Sequence, residues 1–104
     1  MITNLEYQII NQVKEIRISK GFTQEDLANI LEKTVSFIRN IESNKLGKKY
    51  NIDHLSKIAF LFDLEITEFF PKNHGITDIE TIKRLKLIKE SIAKTKKNKL
   101  FNRR

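Results

Sequence analysis

The chain has 104 residues, which suits one small domain or a small domain with an appendage. Hydrophobic residues make up 39%, enough for a core, while three Gly and one Pro are too few for a sheet-rich or turn-rich fold; the absence of Cys excludes a disulfide scaffold, a thiol nucleophile and thiolate metal sites. No apolar run reaches the roughly 18 residues that a membrane-spanning helix needs, and no signal-peptide apolar region follows Met1, so a cytoplasmic location is expected. The net charge is +7, but it is unevenly placed: residues 83–104 carry ten bases and one acid, whereas residues 1–82 are net −2. An excess confined to the C-terminal fifth points to a polyanionic partner, a membrane surface or a solvated basic tail.

In chain order the pattern is that of short helices. Leu5, Ile9, Val13 and Ile16 recur at helical spacing, and Gly21 stands where a helix would end. Thr23 reads as the N-cap of a second helix, with Glu25 and Asp26 in its first turn and Phe22 and Leu27 placed as a hydrophobic staple. Leu27, Ala28 and Leu31 form its buried stripe. Thr34 can cap a third helix over about 35–43. At ~100° per residue, Val35, Ser36, Arg39, Asn40 and Ser43 share an arc of about 140°, and Phe37, Ile38 and Ile41 lie on the opposite side. One face of this helix is thus apolar and the other carries hydroxyl, amide and guanidinium groups.

Residues 44–51 read as a polar loop with Gly47 and three lysines. Asn51 caps a fourth helix with Ile52, Leu55, Ile58, Ala59 and Phe62 inward. Ile66, Phe69 and Phe70 suggest a short fifth helix stopped by Pro71. Residues 72–77 are the linker candidate. Thr77 and Glu80 then form a Thr-x-x-Glu capping box for a last helix with Ile79, Ile82, Leu85, Ile88 and Ile92 along one side, fraying after Lys94 into a basic tail. His54 and His74 lie in different elements without companion ligands, so no metal site is expected, and Glu25/Asp26 read as helix-dipole partners rather than an acid/base pair.

Two short helices joined by a tight turn, the second with a polar outer face, resemble the phage repressor/Cro-type (XRE-like) helix-turn-helix DNA-binding domains. The residues that carry the resemblance are Val13-x-x-Ile16-Arg17, Gly21 through Ala28 (GFTQEDLA), Ser36 through Glu42 (SFIRNIE), Leu55 through Ala59 and Glu68-Phe69-Phe70. The implied fold is all-α: a five-helix repressor-like domain over 1–72, followed over 73–104 by a linker, an amphipathic helix and a basic tail. The resemblance implies base reading by Val35, Ser36, Arg39 and Asn40, where an Asn can pair with adenine, an Arg with guanine or a phosphate, and a Val with a thymine methyl. It implies phosphate contacts from Gln24, Ser43, Asn44, Lys45, Lys48 and Lys49, which position without reading sequence. It also implies an internal salt bridge between Arg17 and Glu42. Three positions depart from the family pattern. Glu32 stands where a left-handed Gly is usual, and Lys33 replaces an apolar residue and would snorkel. The loop before Asn51 is longer and more basic.

The expected function is a sequence-specific transcriptional regulator, a repressor reading a palindromic operator as a homodimer, with no enzymatic role and no cofactor. Its partner is double-stranded DNA, and no membrane is involved. The alternative is an antitoxin-like interaction module that grips a partner protein through residues 78–99. Generic coating of nucleic acid by the basic tail is a third reading. The apolar stripe of the last helix can pack on its own domain, pair with a second copy or stay a loosely ordered polycation; two half-sites one turn apart favour pairing.

Overall fold

A computed structural model describes residues 2–101; the last three residues of the expected basic tail, 102–104, lie outside them. Among the described residues there are five α-helices and one 3-10 turn, with no strand: α1 (Asn4–Ser19), α2 (Gln24–Leu31), α3 (Val35–Ser43), α4 (Ile52–Phe62), the 3-10 turn Ile66–Phe69, and α5 (Ile79–Phe101). The four N-terminal helices start on a side-chain cap. Thr3, Thr23, Thr34 and Asn51 each accept the backbone N–H three residues on, and at Thr3, Thr23 and Asn51 the third residue (Glu6, Asp26, His54) returns a bond to the cap's own N–H. These bonds satisfy donors that a helix start otherwise leaves open.

Three helix ends share one geometry. A residue just past the helix turns into the left-handed region: Glu32 (φ 55) and Asp63 (φ 57) directly after α2 and α4, and Gly21 (φ 80) one position beyond Lys20 at the end of α1. The following N–H then reaches back five residues: Phe22 to Arg17 O at 3.0 Å, Lys33 to Ala28 O at 2.9 Å, and Leu64 to Ala59 O at 3.0 Å. Glu32 thus adopts the conformation for which its position calls, without being Gly. Lys33 is exposed rather than laid on the core, and its ammonium sits 5.6 Å from the centre of the Phe37 ring.

One apolar core joins Ile9, Ile10 and Val13 of α1 to Leu27, Ala28 and Leu31 of α2, Ile38 and Ile41 of α3, and Leu55, Ile58, Ala59 and Phe62 of α4. Phe62 is its aromatic centre, stacked on Phe22 at 5.1 Å and edge-on to Phe69 at 6.0 Å. Some expectations need correction. On α1, Ile10 is buried while Leu5 is exposed and lies against Gly75. Ile52 is 73% exposed because it opens α4 beyond its neighbours; Tyr50, two residues earlier, fills that end of the core beside Ile9, Ile10 and Leu55. The fifth element is a single 3-10 turn that buries Phe69 and leaves Phe70 exposed.

Residues 72–77 are a strap rather than a loose tether. Gln8 Nε2 donates to Gly75 O at 2.7 Å, and Asn4 Nδ2 donates to the Thr77 hydroxyl. Gly75 is buried at φ 75, where a Cβ would stand 2.8 Å from Leu5 Cδ1. With Thr77 so engaged, the cap of α5 is Asp78, whose carboxylate accepts the Thr81 N–H at 2.9 Å. The helix continues past Lys94 to Phe101, and its residues Ile82 to Lys97 are exposed on all sides. It projects from the domain, and the chain measures 59 × 28 × 22 Å.

The left-handed turn gives a clean stability test. Glu32→Gly removes a Cβ that costs about 1 kcal/mol at positive φ, so the urea midpoint should rise by that equivalent. Gly21→Ala should lower it by a similar amount of about 1 kcal/mol, since a Cβ there meets no atom within 4 Å and only the φ of 80 opposes it. A fall for Glu32→Gly would contradict the assignment of strain to that residue.

Candidate nucleic-acid interface

The site begins with a charge inside the domain. Glu42, in the last turn of α3, is 4% exposed. Arg17 of α1 holds it through two bonds, Nε to Oε2 at 2.8 Å and Nη2 to Oε1 at 2.9 Å, while Nη1 donates to Phe22 O at 2.9 Å. Gln24, the first residue of α2, adds a third bond from Nε2 to Oε1 at 3.0 Å. The fork of a guanidinium matches both carboxylate oxygens, which gives direction as well as attraction. The Glu42 carboxylate therefore joins α3 to α1 and the start of α2, and Arg17 adds the turn after α1 through Phe22 O. Leaving a buried charge without its partner costs about 3–5 kcal/mol, a large part of a domain's 5–15. Glu42→Ala should accordingly unfold much of the population in mild urea, read by far-UV circular dichroism. A variant of native stability would contradict this role.

The bridge fixes the roll of α3 about its own axis. Ile38 and Ile41 are fully buried, which turns Ser36, Arg39 and Ser43 to solvent. Asn40 and Val35 are half-buried, and part of Val35 rests on the core. The Ser43 hydroxyl donates to Asn40 O at 3.1 Å. Asn44 ends the helix at φ 59 with its N–H on Ile41 O, and its side-chain Oδ1 is buried. At the start of α2 the capping box uses the N–H groups of Thr23 and Asp26, leaving those of Gln24 and Glu25 as the remaining first-turn donors. The Gln24 amide has a second N–H besides the one given to Glu42.

The loop after α3 carries the basic charge nearest this face. Lys45 and Lys48 are exposed and form no ion pair among the described residues. Lys49 is drawn the other way, its Nζ 2.7 Å from Glu6 Oε2 at the start of α1. Lys49, followed by the Thr3 N–H, holds the Glu6 carboxyl down at about 2. Because the folded value lies below the unfolded one, this contribution to stability is present above pH ~4.5 and is lost as pH falls through that range to about 2. Solvent reaches the pair, which limits the effect to about 1 kcal/mol or less. The difference in urea midpoint between the native chain and Glu6→Gln should be present at neutral pH and close on acidification; a difference independent of pH would contradict the pairing.

A family model described as helix-turn-helix matches residues 13–69, more than half of the chain. The match spans α1 from Val13 through the 3-10 turn, and so contains the bridge, both helices of the motif and the basic loop. The chain belongs to the helix-turn-helix family, of the Cro-type, XRE-like branch. It is a DNA-binding regulator of that type. No significant match was found among curated proteins or among solved structures.

In this helix-turn-helix protein several participants were not visible beforehand. The sequence points to Gln24 as a phosphate contact, and its bond to Glu42 exists only because α2 and α3 pack together. Tyr50 carries no signal in the local sequence; its ring packs beside His54 at 6.3 Å, and burial, with the negative Glu42 nearby, pushes its phenol up. His54 serves the Asn51 capping box, its Nδ1 accepting the Asn51 N–H at 3.1 Å, and burial followed by the charges of Lys33 and Lys57 lowers its pKa. His74 accepts the Ile76 N–H at 2.9 Å. Among the described residues no group of His, Asp and Glu is placed to hold a metal, and no helix is long and apolar enough to cross a membrane. A concavity of about 680 Å³ opens between α1 and the 3-10 turn, lined by Gln8, Gln12, Glu68 and Phe70 among others, none of them from α3.

Proposed function

We propose that this helix-turn-helix protein is a sequence-specific transcriptional repressor that binds a palindromic operator as a homodimer in the cytoplasm, with α3 in the major groove. The observation that carries the reading is the division of α3 itself: Ile38, Ile41 and Glu42 are buried, while Ser36 and Arg39 are exposed with Asn40 at the margin. Each base pair shows a distinct donor, acceptor and methyl pattern in that groove, and these side chains are of the types that read it. Asn40 and Arg39 form directional contacts, Ser36 adapts to either base, and the exposed part of Val35 touches a methyl group. Gln24 and the open N–H groups at the start of α2 bind a phosphate, as an anion suits a helix N-terminus. Lys45, Lys48 and Ser43 bind the backbone downstream of α3. Asn44 contributes mainly by capping α3, and Lys49 reaches DNA only after leaving Glu6.

A second reading rests on a separate observation. The large apolar side chains of α5 from Ile79 to Ile92 are 39–69% exposed, so an antitoxin-like role, gripping a partner protein through residues 78–99, has a surface available. The two readings differ in what the α3 face does.

Selection from a randomised duplex library at one fixed salt concentration separates them, with a Ser36→Ala/Asn40→Ala double variant beside the native chain. Salt must be held constant because lysine-rich contacts release counterions and make affinity steeply salt-dependent. The native chain should enrich a palindrome. The variant should lose it, since each good base contact discriminates by about 1–3 kcal/mol. Equal binding without enrichment by both proteins would refute base reading by α3.

A further inference from the structure

The lysines of the loop after α3 are not equivalent. Lys45 and Lys48 are exposed and form no ion pair among the described residues, whereas Lys49 Nζ lies 2.7 Å from Glu6 Oε2. The difference begins with the backbone. Tyr50, the next residue, is buried beside Ile9, Ile10 and Leu55, which anchors the chain at residue 49 against the first turns of α1. Lys48 stands one position farther from that anchor.

Glu6 is more than a chance counter-charge. Its Oε1 accepts the Thr3 N–H at 3.0 Å and the Thr3 hydroxyl at 3.1 Å, so the capping box of α1 fixes the carboxylate with Oε2 turned to the ammonium. An exposed ion pair is weak in part because two long side chains must be ordered to form it. Here the acid is ordered already, and only Lys49 loses freedom. A lysine neutralised inside the protein also has less to gain from DNA. A free ammonium that meets a phosphate releases a condensed counterion. If Lys49 makes the same move, it leaves Glu6 as an unpaired negative charge close to a polyanion, and that repulsion offsets the gain.

We propose that Glu6 withholds Lys49 from the DNA backbone, so that Lys45 and Lys48 serve as phosphate contacts while Lys49 is held in reserve by α1. This rests on the reading above that the loop after α3 meets the backbone, and it names the residue that regulates that contact. The affinity of the loop is then set by the start of α1 as well as by the number of its lysines.

The test reads the salt dependence of binding in the full-length chain. Its probe is a mixed-sequence duplex of about 20 base pairs, because phosphate contacts carry no sequence information. For B-DNA the slope of log K against log salt is about −0.9 per phosphate neutralised, so an added contact can be counted. Glu6→Gln keeps the capping box, since Gln serves at that position, and removes the charge that holds Lys49. It should steepen the slope by about 0.9 and tighten binding roughly fivefold at about 0.15 M salt. Adding Lys49→Gln to that variant should return the slope to the native value. An unchanged slope in Glu6→Gln would overturn the proposal, because Glu6 then withholds nothing, and would leave base reading by α3 untouched. A steeper slope that survives in the double variant would overturn it as well, since the gain would then come from net charge alone. A native chain that binds no duplex would overturn both the proposal and the role of the loop at the DNA backbone.

Discussion

The rest of the structure depends on the buried carboxylate of Glu42 and the guanidinium of Arg17 that holds it. A charge removed from water must be paired and hydrogen-bonded, and here three donors from two helices, two on Arg17 and one on Gln24, converge on two oxygens. The contribution of such a pair lies less in net stability than in geometry, because an apolar pair of the same shape can be as stable. What apolar packing does not supply is direction. The bidentate fork and the Gln24 bond fix where α2 begins relative to α3, and therefore which side of α3 faces outward. The proposed DNA-reading role of α3 needs this, since a rotation of one residue would exchange Arg39 for Ile38 on the outer face.

The short helices raise a second constraint. Helices of eight or nine residues leave a large fraction of their backbone groups open at the ends. The chain closes them with a polar side chain at each N-cap and a left-handed residue after α1, α2, α3 and α4. Much of this was legible. Gly21, Thr23 with Asp26, Thr34 and Asn51 are local signals, because a cap or a turn depends on residues within a few positions of each other. The left-handed turn at Glu32 was legible from the family pattern, though not from the residue type. The Asp63 turn was hidden, since Asp gives only a weak preference for positive φ, whereas the Thr3 cap is a local signal, with Glu6 in the capping-box position.

What could not be read depends on the arrangement of elements rather than on spacing. The burial of Ile10 over Leu5 follows from α1 packing against α3 and the 3-10 turn while Leu5 lies beside the strap at Gly75. The exposure of Ile52 follows from Tyr50 reaching the core first. Thr77 fits a capping box by spacing, yet Asn4, seventy-three positions away, engages its hydroxyl, and Asp78 becomes the cap. Lys48 and Lys49 look equivalent in the chain and differ because Glu6 lies beside only one of them. On the candidate site, the polar arc of α3 and the Arg17–Glu42 pairing were legible; the share of Gln24 in that pairing was not.

On the proposed function, the outer face of α3 meets DNA and α5 serves another purpose. The most direct measurement is backbone amide mapping by NMR as duplex DNA is added to the labelled full-length chain at moderate salt. The largest shifts are expected at Ser36, Arg39 and Asn40, at Gln24 and Glu25, and through Lys45 to Lys48, with small and uniform changes along α5. Shifts concentrated in residues 83–97, with α3 unmoved, would contradict it and assign nucleic-acid contact to the basic helix instead.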